Sequence, residues 1–350
     1  MTNRLDKKNH VAIAKAIGII LMVAGHSGMP STYIDNFIYI FHMPLFFFCS
    51  GYFFKEIYDY ADLQRLIFKR LSSLYVPYLK WSLAFVLFHN LFYYLHLYDS
   101  SYNMNEYLWH CIKTITMSDY EIFLRPFWFL KALLWASISA GFLSYLCNRI
   151  KIIFNTKRII ILILAITMLL KVIDSHLPII GDCSLITFGI VYIYSGLFYR
   201  QYENRIHIKF SVLAVFFFIV LIGSIYFNGI IDMRYTTVTN TIPYYILSLF
   251  GIIFVNEISI MLNRNNYNII KSPLYYIGNH TMPILALHLL TFKIGNLAKV
   301  WIYDLPIERL ADYTKIPEHN GIFWFVYVFL GVTIPLLINF CYIKMFNNKS

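Results

Sequence analysis

Residues 12–27 read AIAKAIGIILMVAGHS, and two ionisable side chains, Lys15 and His26, interrupt this apolar run eleven residues apart. Eleven helical steps of about 100° come to about 1100°, close to three turns, so both side chains face nearly the same way on a helix. The rise between them is about 16 Å, roughly half of a hydrocarbon core about 30 Å thick. Ionisable groups in a membrane-length helix are costly and are kept where they serve a function. The stretch therefore reads as a membrane helix with a cation toward one surface and an imidazole toward the other.

The rest of the chain extends that reading. Of 350 residues, 59% are hydrophobic and 13% charged, against about 25% charged in soluble domains. Aromatics reach 19%, which suits membrane interfaces. The expectation is an all-α polytopic membrane protein, a single membrane-embedded domain over residues 1–350 with no soluble appendage. Ten spans are expected, near 12–28, 36–54, 74–96, 126–147, 158–174, 183–199, 209–227, 243–262, 274–292 and 322–343. The first apolar run lacks a small-residue cleavage site, so no cleaved signal peptide is expected. With a cytoplasmic N-terminus, 18 of the 29 Lys and Arg residues fall in inner segments, Lys151 and Lys349 among them, and 7 in outer ones. That bias places both termini in the cytoplasm. The formal charge of +11 is then mostly an inner basic rim, and no nucleic-acid partner is needed to explain it. The longest loops, 97–125 and 293–321, fall outside.

The same topology sorts polar residues into two levels. His26, His42 and His288 lie toward the outer side, where Arg125 and Trp128 open the fourth span. Lys15, Lys80 and the pair Lys69–Arg70 lie toward the inner side, with Glu257 near the inner end of the eighth span. A basic inner mouth suits a phosphorylated donor, because Lys and Arg hold phosphate well. Neutral imidazole, with a pKa near 6.5, suits removal of a hydroxyl proton near pH 7. Blander readings stand beside these. His42, followed by Met43-Pro44, serves equally to steady a kinked helix; Lys15 could simply snorkel; Lys80 or Lys131 could pair with a carboxylate such as Glu257. The histidines at 10, 89, 96, 110, 176, 207, 280 and 319 read as interface or loop residues, and the acidic pairs of the loops have no evident partner.

No phosphate-binding Gly-rich loop, nucleophile elbow or H-E-x-x-H occurs. The five cysteines, Cys49, Cys111, Cys147, Cys183 and Cys341, show no metal-ligand spacing, so no metal is expected. Cys111 and Cys183 could both face outside.

Five blocks resemble a known family: IAKAIGIILMVAGHS (13–27), FIYIFHMPLFFFCSGYFF (37–54), FKRLSSLYVPY (68–78), FWFLKALLW (127–135) and SPLYYIGNHTMPILALHLL (272–290). In this order they look like the integral-membrane acyltransferase-3 family, nearest its fucose or polysaccharide O-acetyltransferase branch. The resemblance implies about ten membrane helices, a cytoplasmic acyl-CoA donor and a carbohydrate acceptor. It makes His26 the catalytic histidine and Lys15 its basic companion, since both match the family's spacing of a basic residue, ten residues, then His. One departure concerns the third-helix block, where many members carry a second Arg three residues after the first; here Ser73 follows Arg70.

These readings together give an O-acyltransferase of a bacterial cytoplasmic membrane. Acetyl-CoA or another acyl-CoA is the donor, and the acceptor is a sugar hydroxyl of a surface polysaccharide or lipid-linked precursor. His26 and Lys15 are the catalytic candidates. Lys15, Lys69, Arg70 and Lys80 would hold the donor, and His42, Arg125, Trp128 and His288 would shape the acceptor side. A transporter or flippase of a lipid-linked sugar or small acid uses the same ingredients, and a non-catalytic subunit would leave Lys15 and His26 dispensable.

Overall fold

The computed structural model describes residues 2–29, 31–150, 155–176, 181–206, 208–227, 231–264 and 268–347. Lys151, His207 and Lys349 lie outside these, as do the side chains of Arg4, Lys7, Lys8 and His176. Most of the described residues are helical and none lies in a strand. In chain order the helices are α1 (Thr2–His26), α2 (Thr32–Tyr52), α3 (Tyr60–Arg70), α4 (Val76–Leu87), α5 (His89–Tyr94), α6 (Met104–Ile115) and α7 (Trp128–Arg149). There follow α8 (Thr156–His176), α9 (Gly181–Tyr202), α10 (Phe210–Tyr226), α11 (Val238–Arg264), α12 (Asn268–Asn279), α13 (Thr281–Tyr303) and α14 (Phe323–Asn347). Among the described residues six helices are long and apolar enough to cross a membrane: Asn9–His26, Ile122–Arg149, Asp182–Arg205, Val238–Arg264, Thr281–Tyr303 and Phe323–Met345.

The chain divides into two compact units, and α1 passes from one to the other at Gly18. The first comprises Met1–Gly18, Thr32–Tyr75 and Phe129–Gly278. Here α2 packs on α9, α10 and α11, and α8 on α9. Glycine sets the closest approach. A Cβ on Gly51 would stand 1.8 Å from the Ile193 carbonyl oxygen, and one on Gly196 2.1 Å from that of Phe48. Small residues of this kind let membrane helices meet backbone to backbone. Tyr192 bonds Ser248 at 2.7 Å, tying α9 to α11. The start of α3 is set by Asp59, whose carboxylate accepts from the Asp62 N–H at 2.7 Å. A π-helical turn, Leu71–Tyr75, leads from α3 to α4. Pro77 explains it: proline has no N–H for the Ser73 carbonyl and its ring would crowd that group in a regular helix.

The second unit comprises Ile19–Ser31, Val76–Trp128 and Asn279–Ser350. Its axis is α13, against which pack α14 and two short 3₁₀ turns, Ile122–Phe127 and Ile307–Ala311. Val300, Leu310 and Ile316 form a small core with Leu97, Leu297 and Leu305, so the segment after α13 folds back over it. The reversal is made at Asp304, in the left-handed region at φ 52°. The N-terminus of α6 carries a capping box between Asn103 and Glu106.

Several expectations change. The ninth span does not run 274–292 as one helix: it breaks at His280, and α13 continues to Tyr303. Lys293 and Lys299 therefore belong to a helix and not to the loop, and both are buried. Apolar patterning missed this because each lysine spends its ammonium on loop groups, the Asp312 carbonyl for Lys293 and the Ile316 carbonyl for Lys299. The third span, 74–96, is interrupted at Phe88 between α4 and α5. Lys131 does pair with a carboxylate, that of Asp182 at 2.6 Å, while Glu257 accepts from Tyr199. His89 is not an interface residue. It is buried, with Nδ1 3.0 Å from Glu121 Oε2 and Nε2 3.0 Å from the Ser100 carbonyl, which also gives Glu121 a partner. All five cysteines are free thiols.

Candidate functional site

In the second unit α1 ends at His26, and His288 of α13 lies against it. His26 Nδ1 is 2.9 Å from His288 Nε2, and the rings meet edge to edge, nearly coplanar, with centroids 5.1 Å apart and planes 13° from parallel. Hydrogen-bond accounting assigns the protons. His288 Nδ1 lies 3.0 Å from the Ile284 carbonyl and 3.1 Å from that of Leu285. Carbonyls only accept, so this nitrogen carries the hydrogen and a neutral His288 accepts at Nε2. His26 must then donate from Nδ1, which leaves the lone pair of its imidazole on Nε2. His288 is fully buried while His26 is half-buried. Gly331 of α14 makes room for this packing: a Cβ there would stand 2.7 Å from both Val23 and Phe292 and 3.5 Å from His288 Cβ.

The same unit places Arg125 in the 3₁₀ turn that packs on α13. Its guanidinium lies 4.7 Å over the ring of Tyr313. Trp128 follows as the first residue of α7, half-buried. Lys80 is exposed on α4.

The first unit holds the remaining candidates. Arg70, the last residue of α3, donates from Nη2 to Ser50 Oγ at 2.8 Å. Its buried Nε has no hydrogen-bond partner among the described residues. Burial pulls its pKa down from the ordinary value, yet a guanidinium stays charged. Lys15 of α1 lies near Cys49, the neighbour of Ser50. One short stretch at the end of α2 thus gathers a lysine from α1 and an arginine from α3. Lys69 is exposed beside Arg70, and Ser73 sits within the π turn. His42 is buried, with Nδ1 2.9 Å from the Ile38 carbonyl one turn back and its ring edge-on to Tyr39.

The nine site candidates therefore fall into groups. The structure brings His26 to His288, places Arg125 and Trp128 at the turn beside α13, and sets Lys15 and Arg70 along α2 with Lys69 adjacent. Two residues near His26 escaped the sequence reading, Lys299 and Asn320. Lys299 follows His288 by eleven residues, the same spacing as Lys15 to His26, and that repeat was the signal available. Asn320 offered none, since it lies in a loop and reaches the end of α1 only through the tertiary fold.

A family model described as an acyltransferase domain matches residues 10–346. No curated protein and no solved structure matches the chain.

Proposed function

Because this chain belongs to the acyltransferase-3 family of membrane acyltransferases, we propose that it is an acyl-CoA-dependent O-acyltransferase, with acetyl-CoA as donor and a sugar hydroxyl of a surface polysaccharide or lipid-linked precursor as acceptor. The reading is supported above all by the contact of His26 Nδ1 with His288 Nε2 at 2.9 Å. It fixes which nitrogen of His26 keeps a lone pair, as an orienting partner does for the general base of an acyl-transfer enzyme. His26 Nε2 takes the proton of the acceptor hydroxyl as the oxygen attacks the thioester carbonyl carbon. The carbon–sulfur bond then breaks, and the imidazolium returns the proton to the departing thiolate.

The phosphates of the donor suit Lys15, Lys69 and Arg70, with Lys80 as a further cation. The unpartnered Nε of Arg70 supports this, because a buried donor gains most from an anionic acceptor. Arg70 with Lys15 then replaces the second arginine that Ser73 lacks. His42, Arg125 and Trp128 serve the acceptor side, Trp128 by stacking on a sugar ring, while His288 acts on His26 instead of the acceptor. The chain is proposed as one domain of about ten spans in a bacterial cytoplasmic membrane, both termini cytoplasmic.

The test is purified protein in lipid vesicles with acetyl-CoA labelled in the acetyl group. Label appearing on added glycan, with one thiol released per acetyl transferred, is the expected result. Passage of a lipid-linked sugar across the vesicle wall without thiol release would instead make the protein a transporter.

A further inference from the structure

The second unit holds a hydrogen-bonded strap behind His26 that ordinary helix termination does not require. After His26 the chain leaves α1 through Ser27, whose hydroxyl and N–H both donate to the Ala24 carbonyl, at 2.7 and 3.0 Å. It turns at Gly28, where φ is +75°. There a Cβ would stand 1.9 Å from Lys315 Nζ and 2.0 Å from its Cε, so loop and turn are in close contact. The carbonyls of the two residues that follow the helix are taken by one side chain. Asn320 Nδ2 donates to the Gly28 carbonyl and, at 3.4 Å, to that of Ser27.

The orientation of that amide is fixed from behind. Lys299 Nζ is 3.1 Å from Asn320 Oδ1, 2.7 Å from the Ile316 carbonyl and 3.1 Å from the Glu318 carbonyl. An ammonium has three hydrogens and no acceptor, so all three are used and Oδ1 must be the atom facing it. The cation also lies over Phe323 and Tyr327, at 5.0 and 5.2 Å, and is fully buried. Lys299 and His288 stand eleven residues apart on α13, about three turns, and so share a face. That face meets α1 twice, holding the His26 ring directly and the backbone just after it through Asn320.

We infer that Asn320, oriented by Lys299, is a positioning residue for His26, so that the segment from Leu305 to Ile322 sets the placement of the imidazole. Rotation of the Ser27–Gly28 turn would swing the end of α1 and with it His26 Nε2, whereas His288 alone holds only the other side of the ring. A misplacement of about 1 Å at a reacting group is worth on the order of 100-fold in rate. The inference rests on the acyl-transfer reading for its consequence but not for its geometry.

The test uses the full chain in vesicles with two variants. Asn320→Asp keeps the shape and the acceptor for Lys299 but removes the donor to the two carbonyls. Gly28→Ala disturbs the same turn from the other side. Hydrogen–deuterium exchange of a peptide covering 19–31 is read beside acetyl-transfer kinetics. Expected are faster exchange in that peptide, a kcat lowered by at least about tenfold and an unchanged KM for acetyl-CoA. Unchanged exchange, or a loosened turn with kcat intact, overturns the inference, as does a loss of kcat matched by raised exchange throughout the chain. A wild-type chain that transfers no acetyl group, with exchange at 19–31 still responding to Asn320→Asp, overturns the acyl-transfer reading and the catalytic consequence with it.

Discussion

Replacing His288 by leucine, which keeps a buried side chain of similar bulk but no acceptor, separates orientation of His26 from its chemistry. In the wild type the His26 Nδ1–H has His288 Nε2 at 2.9 Å. Leucine removes the acceptor that sets the tautomer of His26 and the partner that helps fix its ring angle. The net worth of such a hydrogen bond is about 0.5–1.5 kcal/mol, and 1.36 kcal/mol is tenfold in rate. Loss of tautomer preference alone therefore lowers kcat by up to about tenfold, and freedom of the ring adds to it. The total should lie near 10–100-fold, below the 10²–10⁴-fold that general-base catalysis supplies. Glutamine offers an amide oxygen to His26 and an N–H to the Ile284 carbonyl, so His288→Gln should recover most of the rate. The assay is thiol release from acetyl-CoA at saturating acceptor, with the KM for donor unchanged in both variants. A folded His288→Leu protein with wild-type kcat refutes the orienting role.

Arg70→Met should raise the KM for acetyl-CoA about 10–100-fold with kcat at saturation little changed, from the roughly 1.5–3 kcal/mol of a charged hydrogen bond; initial rates against donor concentration check it. Gly51→Ala drives a Cβ onto the Ile193 carbonyl at 1.8 Å and should destabilise by about 1–3 kcal/mol, measured as thermal unfolding in detergent. Glu121→Leu leaves buried His89 Nδ1 without its carboxylate partner and should cost about 1.5–3 kcal/mol in the same measurement, more than His89 and Glu121 lose when both are replaced by apolar residues. In the loop after α13, Arg309 lies 2.6 Å from Glu318 and holds its carboxyl below the usual range. A lowered folded-state pKa stabilises above the unfolded value of about 4.3 and is lost as pH falls through the folded one. Proteolytic protection of this loop should therefore be constant at neutral pH and fall only below about pH 4; Arg309→Gln should remove the step.

The helical class and the placing of Lys15 and His26 on one helix were legible because they depend on local facts: apolar composition and an eleven-residue spacing. His288 was visible as a histidine in an apolar block, but its role was not. Its contact with His26 spans 262 positions in sequence, and only packing shows that its Nδ1 is already committed to α13 carbonyls. The ninth span was misplaced for a related reason. Hydropathy penalises Lys293 and Lys299 as charges, while the fold supplies them with loop carbonyls, so the helix runs on through both. Likewise the acidic residues of the loops had no evident partner in the sequence, yet Glu121 is paired with His89 in the fold. What periodicity could not carry was any interaction whose second partner lies in a distant segment.

The most direct test of the account is single-turnover transfer of labelled acetyl to glycan by purified wild-type and His26→Ala protein in the same vesicles, with matched thermal unfolding. The account predicts robust transfer by wild type and a loss of at least about 100-fold in a His26→Ala chain that remains folded. Transfer at the wild-type rate by folded His26→Ala protein contradicts it.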